Sequence, residues 1–151
     1  MLKKAIILIL LMGYMGCAPS EDVQVTDAWV RAIPPSRDVT AAFLVIENKT
    51  DQAKILLSVE SDAAETVELH TMKYVNEMMK MQKVDQIEIP AQSKGELKPG
   101  GDHIMMFGVN RPLVEGDSLS LSLRFADQTT QNVTARIKKF VRPTPKSRPS
   151  S

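Results

Sequence analysis

The sequence predicts an all-β protein, a single antiparallel β-sandwich. Three observations predict it. Val, Ile and Leu are plentiful and aromatics few, with Pro and Gly set between short apolar runs. "DSLSLSLRFAD" alternates with period two, Leu119, Leu121, Leu123 and Phe125 on one face and Ser118, Ser120, Ser122 and Arg124 on the other. No stretch carries a sustained apolar stripe of period 3.6. At 151 residues there is room for one core but not two.

The first element is not part of the folded domain. In "MLKKAIILILLMGYMGC", Lys3 and Lys4 precede an apolar run, Ala5 to Met12, that is too short to span a bilayer comfortably. It reads as a secretory signal, residues 1–16, with a retained membrane anchor as the alternative. Cys17, the only cysteine, follows Gly16 as in a bacterial lipoprotein cleavage site, although Tyr14 is bulkier than the Leu or Val usual there. Cys17 is therefore the expected lipidation site. A chance Cys beside a simple signal cleavage is the alternative, but it leaves an unpaired thiol in an exported protein unexplained. Acyl chains on Cys17 would hold the domain at a membrane surface without a spanning helix.

Residues 17–22 read as a tether and residues 23–141 as the domain. "VQVTDAWVRA" places Val23 and Val25, then Ala28 and Val30, at alternating positions, and "TAAFLVIEN" is a continuous apolar run that fits a strand buried on both faces. "NKTDQ" is a turn cluster. "KILLSVES", "ETVELH", "MKMQKV", "QIEIP" and "GELKPGGDHIMMFGV" follow as strand segments, with a helical turn conceivable at the start of "SDAAETVELH". "NVTARI" repeats the period of two with Val133, Ala135 and Ile137, and "ADQTT" before it suits a hairpin loop. Residues 142–151, Pro, Ser, Thr and basic residues only, read as a disordered tail.

Removing residues 1–16 leaves 17 basic against 18 acidic residues, with no basic patch, which argues against a nucleic-acid partner. There is no Ser/His/Asp arrangement, phosphate loop or paired catalytic carboxylate motif, so the expectation is a protein that is not an enzyme.

The chemistry lies in the histidines and methionines. The chain has two histidines, each two residues before a methionine: His70 before Met72 and His103 before Met105. On a strand, such pairs share a face with their bases about 7 Å apart, close enough to converge on one ion. Met81, on "MKMQKV", is placed to fold back towards His70 after a loop. Thioether sulfur is soft and uncharged; it binds zinc and hard cations poorly and favours Cu(I), while imidazole accepts copper in either oxidation state. In an oxidising compartment methionine has a further advantage over cysteine, since it forms no disulfide and needs no deprotonation. Methionine is also a common core filler, and some of Met78, Met79 and Met106 fit that description.

These residues resemble the PCuAC family of periplasmic copper chaperones, formerly a domain of unknown function. The family's pattern is His, ten residues, Met, twenty-one residues, His-x-Met. His70, Met81, His103 and Met105 match it without a gap, and "VELH", "IEIPA", "ELKPGG", "HIM" and "MFGV" resemble the family's segments around them. The likeness spans about residues 24–126 and departs at Asp102, where an aromatic residue is frequent; a carboxylate there would alter copper affinity.

The resemblance implies a cupredoxin-like β-sandwich in the bacterial periplasm. It implies one copper per chain, Cu(I) foremost and Cu(II) in some members, held by His70, Met81, His103 and Met105, with Met72 a possible additional ligand. It also implies delivery to cytochrome c oxidase or another copper enzyme, often beside a Sco-type thioredoxin-like copper protein. A metal-free structural or adaptor lipoprotein is the alternative. A blue-copper electron carrier needs a Cys thiolate with two His, and Cys17 is far from both histidines in sequence.

Overall fold

The structure, a computed structural model, describes residues 22–141. The leader, Cys17, the tether up to residue 21 and the tail from 142 lie outside the described residues. Ten strands make up the domain: β1 Val23–Arg31, β2 Val39–Asn48, β3 Lys54–Glu60, β4 Ala64–Val75, β5 Met78–Val84, β6 Ile87–Ile89, β7 Ser93–Leu97, β8 His103–Val109, β9 Ser118–Phe125 and β10 Thr130–Lys138. There is no helix among the described residues; Asp62 and Ala63 form a turn where a helical turn was conceivable.

The strands hydrogen-bond in the order β5-β4-β8-β2-β1-β10-β9-β3-β6, with β7 added to the second half of β2. All pairings are antiparallel except β1 with β10, which run parallel. That one pairing departs from the all-antiparallel expectation. The sheet closes over a core to which both halves contribute: Val30, Leu44, Leu69, Ile104 and Met106 from one, Leu56, Leu121, Leu123, Phe125 and Ile137 from the other. The β-sandwich expected from the sequence is the observed architecture.

Individual strands follow from their residues. On β9 the four expected apolar residues are buried and the alternating polar ones are not. β2 is buried on both faces because Ala42, Leu44 and Ile46 enter the core while Phe43 packs under Trp29, ring centroids 4.5 Å apart. β1 changes phase midway. A bulge between Thr26 and Trp29, with Asp27 at φ 51°, lets Val23 and Val30 both reach the core although their positions differ in parity. Aspartate tolerates this left-handed conformation better than a β-branched residue would.

β4 continues five residues beyond His70 and turns into β5 through Asn76 and Glu77, both at positive φ, 49° and 61°. Two such residues make the turn that suits a two-residue hairpin. Asparagine is at home there and glutamate is not, since each non-glycine residue forced left-handed costs about 1–2 kcal/mol. Met106 is a core filler as expected, whereas Met78 and Met79 stand exposed on β5.

Two stability predictions follow from this frame. Glu77→Gly is expected to raise stability in chemical denaturation by about 1 kcal/mol; no gain would mean the turn carries no strain. Asp127 pairs with Lys54 at 2.6 Å, and this bond first, then that of the Thr129 hydroxyl, lowers its carboxyl from 3.8 to about 2. A depressed folded value means the unfolded chain binds the proton first, so the contribution is present above 3.8 and lost as pH falls towards 2. Asp127→Asn should therefore flatten the acid limb of stability in that window, and an unchanged limb would exclude this role.

Candidate metal centre

The candidate ligands gather on the face of the sheet turned away from the core. Ile104 and Met106 point inward on β8, so His103 and Met105 point outward. On β4, Leu69 points inward and Glu68, His70 and Met72 outward. Register does the rest. His70 lies directly opposite His103, Glu68 opposite Met105, and on the other side Met72 opposite Met81.

The two imidazoles face each other with ring centroids 5.9 Å apart. Met81 and His103 belong to strands that are not neighbours, yet the Met81 Sδ lies 3.2 Å from the His103 Nε2. The contact passes over β4, which separates them. The imidazoles are nearly buried, His70 8% and His103 6% exposed, while Met81 is 50% exposed. Met72, Met81, His103 and Met105 line one cleft of about 850 Å³, together with Phe43, Arg31, Arg37 and Asp38. His70 does not line that cleft; it adjoins it through His103.

Hydrogen bonds determine which ring nitrogens carry lone pairs. The His103 Nδ1 lies 2.8 Å from the Gly101 carbonyl oxygen, which can only accept. Nδ1 therefore donates, and in the neutral ring Nε2 presents its lone pair to the Met81 sulfur. Two lone-pair donors at 3.2 Å gain nothing from each other; a shared cation would turn that opposition into attraction. The His70 Nε2 lies 2.9 Å from the Glu68 carboxylate and donates to it. Its Nδ1 is buried with no hydrogen-bond partner. A buried polar atom without a partner costs about 1–3 kcal/mol, which a bound cation would offset. The donor set thus fits a soft metal ion.

Glu68 is held as a carboxylate. Lys83, 2.8 Å from its Oε1, and then His70 lower its pKa, and Glu68 in turn raises that of Lys83. The arrangement is the carboxylate–imidazole pairing that orients metal-binding histidines. Sequence reasoning missed it, although Glu68-x-His70 was a visible signal, because residues two apart share a face. Asp102, next to His103 in the chain, accepts from the Thr71 hydroxyl. Thr71 alternates with His70, so that bond lies towards the other face of β4. Among the described residues no three His, Cys, Asp or Glu side chains are placed to share a metal, so an ion here relies on the thioethers.

Residues 23–137 match the family described as "Putative lipoprotein LpqE-like". A relative in Leifsonia xyli subsp. xyli (strain CTCB07), named "Putative lipoprotein Lxx21020", is 33% identical over 153 residues, 93% of this chain and 91% of its own. Among solved structures the chain is similar to the copper-bound PCuAC domain from PmoF2, at 19% identity and a TM-score of 0.67 over 78% of this chain and 93% of that one. It is also similar to the solution structure of CuI-DR1885 from Deinococcus radiodurans, at 37% identity and a TM-score of 0.62 over 74% and 75%. The fold is the cupredoxin-like β-sandwich of the PCuAC domains. The chain belongs to the LpqE-like family, which is of the PCuAC type.

The hydrogen bonds predict opposite tautomers. At neutral to mildly alkaline pH, nitrogen-15 NMR of the metal-free protein should find His103 protonated at Nδ1 and His70 at Nε2. Protonation of His103 at Nε2 would contradict the geometry.

Proposed function

We propose that this domain is a copper chaperone, a binding and transfer protein rather than an enzyme. It takes one Cu(I) as cargo on His70, Met81, His103 and Met105, with Met72 beside them. The observation that carries this is the 3.2 Å approach of the Met81 sulfur to a His103 nitrogen whose proton is committed elsewhere. The similarity to a Cu(I)-bearing protein at 37% identity supports it. So does the donor chemistry, two neutral imidazoles and neutral thioethers, which favours Cu(I) over harder or divalent ions. Cu(II) fits the imidazoles but gains little from sulfur of this kind.

Each side chain has a separate task. The Gly101 carbonyl and the Glu68 carboxylate orient the rings, and the rings, being buried, lose little entropy on binding. Met81, half exposed, is the donor an incoming ligand reaches first. Release proceeds by exchange: a thiolate or imidazole of the recipient bonds the metal as a thioether leaves, and the oxidation state does not change. The recipient we propose is cytochrome c oxidase or another copper enzyme, with a Sco-type protein as companion. A lipid on Cys17 would keep the carrier in the bacterial periplasm beside a membrane, as the lipoprotein names of the family and of its relative support.

Titration under reducing conditions tests the reading. The wild type should bind one equivalent of Cu(I), and His70→Ala/His103→Ala should bind little. At free Cu(I) about a thousand times Kd, a ligand of the native state alone adds about 4 kcal/mol of stability. A melting temperature unmoved by saturating Cu(I) would leave the metal-free adaptor instead.

A further inference from the structure

The β4–β5 hairpin carries more sulfur than the cradle needs. Met81 is opposite Met72, and Met79 precedes Met81 by two residues on the same face. The register runs from Leu69↔Val84 to Val75↔Met78 without a shift, so alternation assigns the faces. Met72, Met79 and Met81 stand on the face of the two histidines, and Met78 stands on the other. Met79 is 52% exposed and Met78 59%. The sheet ends at β5, where large apolar side chains add nothing to a core and make the edge sticky. Met79 stands opposite Tyr74, itself 70% exposed, so neither side chain is placed there by the core.

Spacing permits a common ligand. Directly paired residues stand about 5 Å apart at Cβ, residues two apart on a strand about 7 Å, and diagonal neighbours about 7–8 Å. Three rotatable bonds let methionine close such gaps. Three neutral thioethers without an imidazole still select a soft monovalent cation, more weakly than the mixed set does.

We infer that Met72, Met79 and Met81 form a second, outer station for a soft monovalent metal ion, sharing Met81 with the histidine cradle. As a loading and unloading step it rests on the chaperone reading above; as a binding site it stands without it. Passage inward exchanges Met79 and Met72 for His103 and His70 while Met81 stays bonded, and Met105 joins last as the fourth donor. One metal–ligand bond forms as another breaks, and the ion keeps its single charge. The station explains why Met81 is exposed while the histidines are not.

Silver(I), which has no accessible redox chemistry here, is the probe, read on the full chain labelled at the methionine methyls. In His70→Ala/His103→Ala, silver should still shift the methyls of Met72, Met79 and Met81 and leave those of Met78 and Met106 in place. Adding Met79→Leu to that variant should weaken silver binding about tenfold, whereas Met78→Leu, equally exposed but on the wrong face, should leave it unchanged. Both substitutions are at exposed sites, so neither threatens folding. A Met79 methyl that stays still while those of Met72 and Met81 move would overturn the station, as would equal loss from the two leucine variants. In the wild type, silver shifting the three methyls but not the imidazole signals would support the station and sink the cradle.

Discussion

The register between β4 and β8 is the constraint on which the rest depends. It seats Leu69 and Ile104 in the core as one opposed pair and leaves His70 and His103 as the next, on the outer face. Because strand side chains alternate, a slip of one residue on β8 would drive His103 and Met105 inward and expel Ile104 and Met106. Each expelled side chain would forfeit about 1.5–3 kcal/mol of burial. An imidazole buried among aliphatic groups without partners would cost about 1–3 kcal/mol more. Those sums rival the whole stability of a small domain. The core therefore enforces the opposition of the two histidines, and no contact between the rings is needed to hold them there.

Around that pair, the two ring-orienting contacts differ in charge. Among the described residues Glu68 is the one carboxylate hydrogen-bonded to the rings, and Lys83 already engages its other oxygen. His103 is oriented by a neutral backbone carbonyl instead. A second carboxylate in direct contact would deepen the attraction for any cation and weaken the preference for a soft one. Asp102, adjacent in sequence, is turned towards Thr71. On the chaperone reading, the proposed donor atoms are themselves neutral, so their preference among cations rests on softness.

Much of this was legible in the sequence where the signal is local. The period of two in β9 and β10, the double burial of β2 and the shared face of each His-x-Met pair all follow from strand geometry. The features that were missed depend on pairing across long separations or on disguised turns. Nothing in "VQVTDAWVRA" announces that β1 lies parallel to β10, more than a hundred residues away. The tight turn after β4 was hidden because Glu77 occupies a position where glycine would have signalled it. Without that turn, β4 could not be seen to run on to Val75, nor Met72 to face Met81. Which of Met78, Met79 and Met106 fill the core was not legible either, since composition cannot tell an inner face from an edge strand. The partnership of Glu68 with Lys83 needed the same hairpin register.

Exposure also bears on how a metal ion would leave such a site. Had all four donors been buried, a recipient's ligand could attack only after the domain opened, at a cost set by its stability. Had all four been exposed, the side chains would lose more freedom on binding and the site would be floppy. Here the imidazoles are below one tenth exposed and the Met81 sulfur arm is half exposed. On the chaperone reading, the rigid nitrogens supply a geometry ready before the ion arrives, and the mobile sulfur supplies the bond that breaks first. Methionine suits that duty because its departure needs no proton and leaves no charge behind. On that reading, holding and handing over fall to different side chains, the buried histidines of β4 and β8 and the half-exposed Met81 of β5.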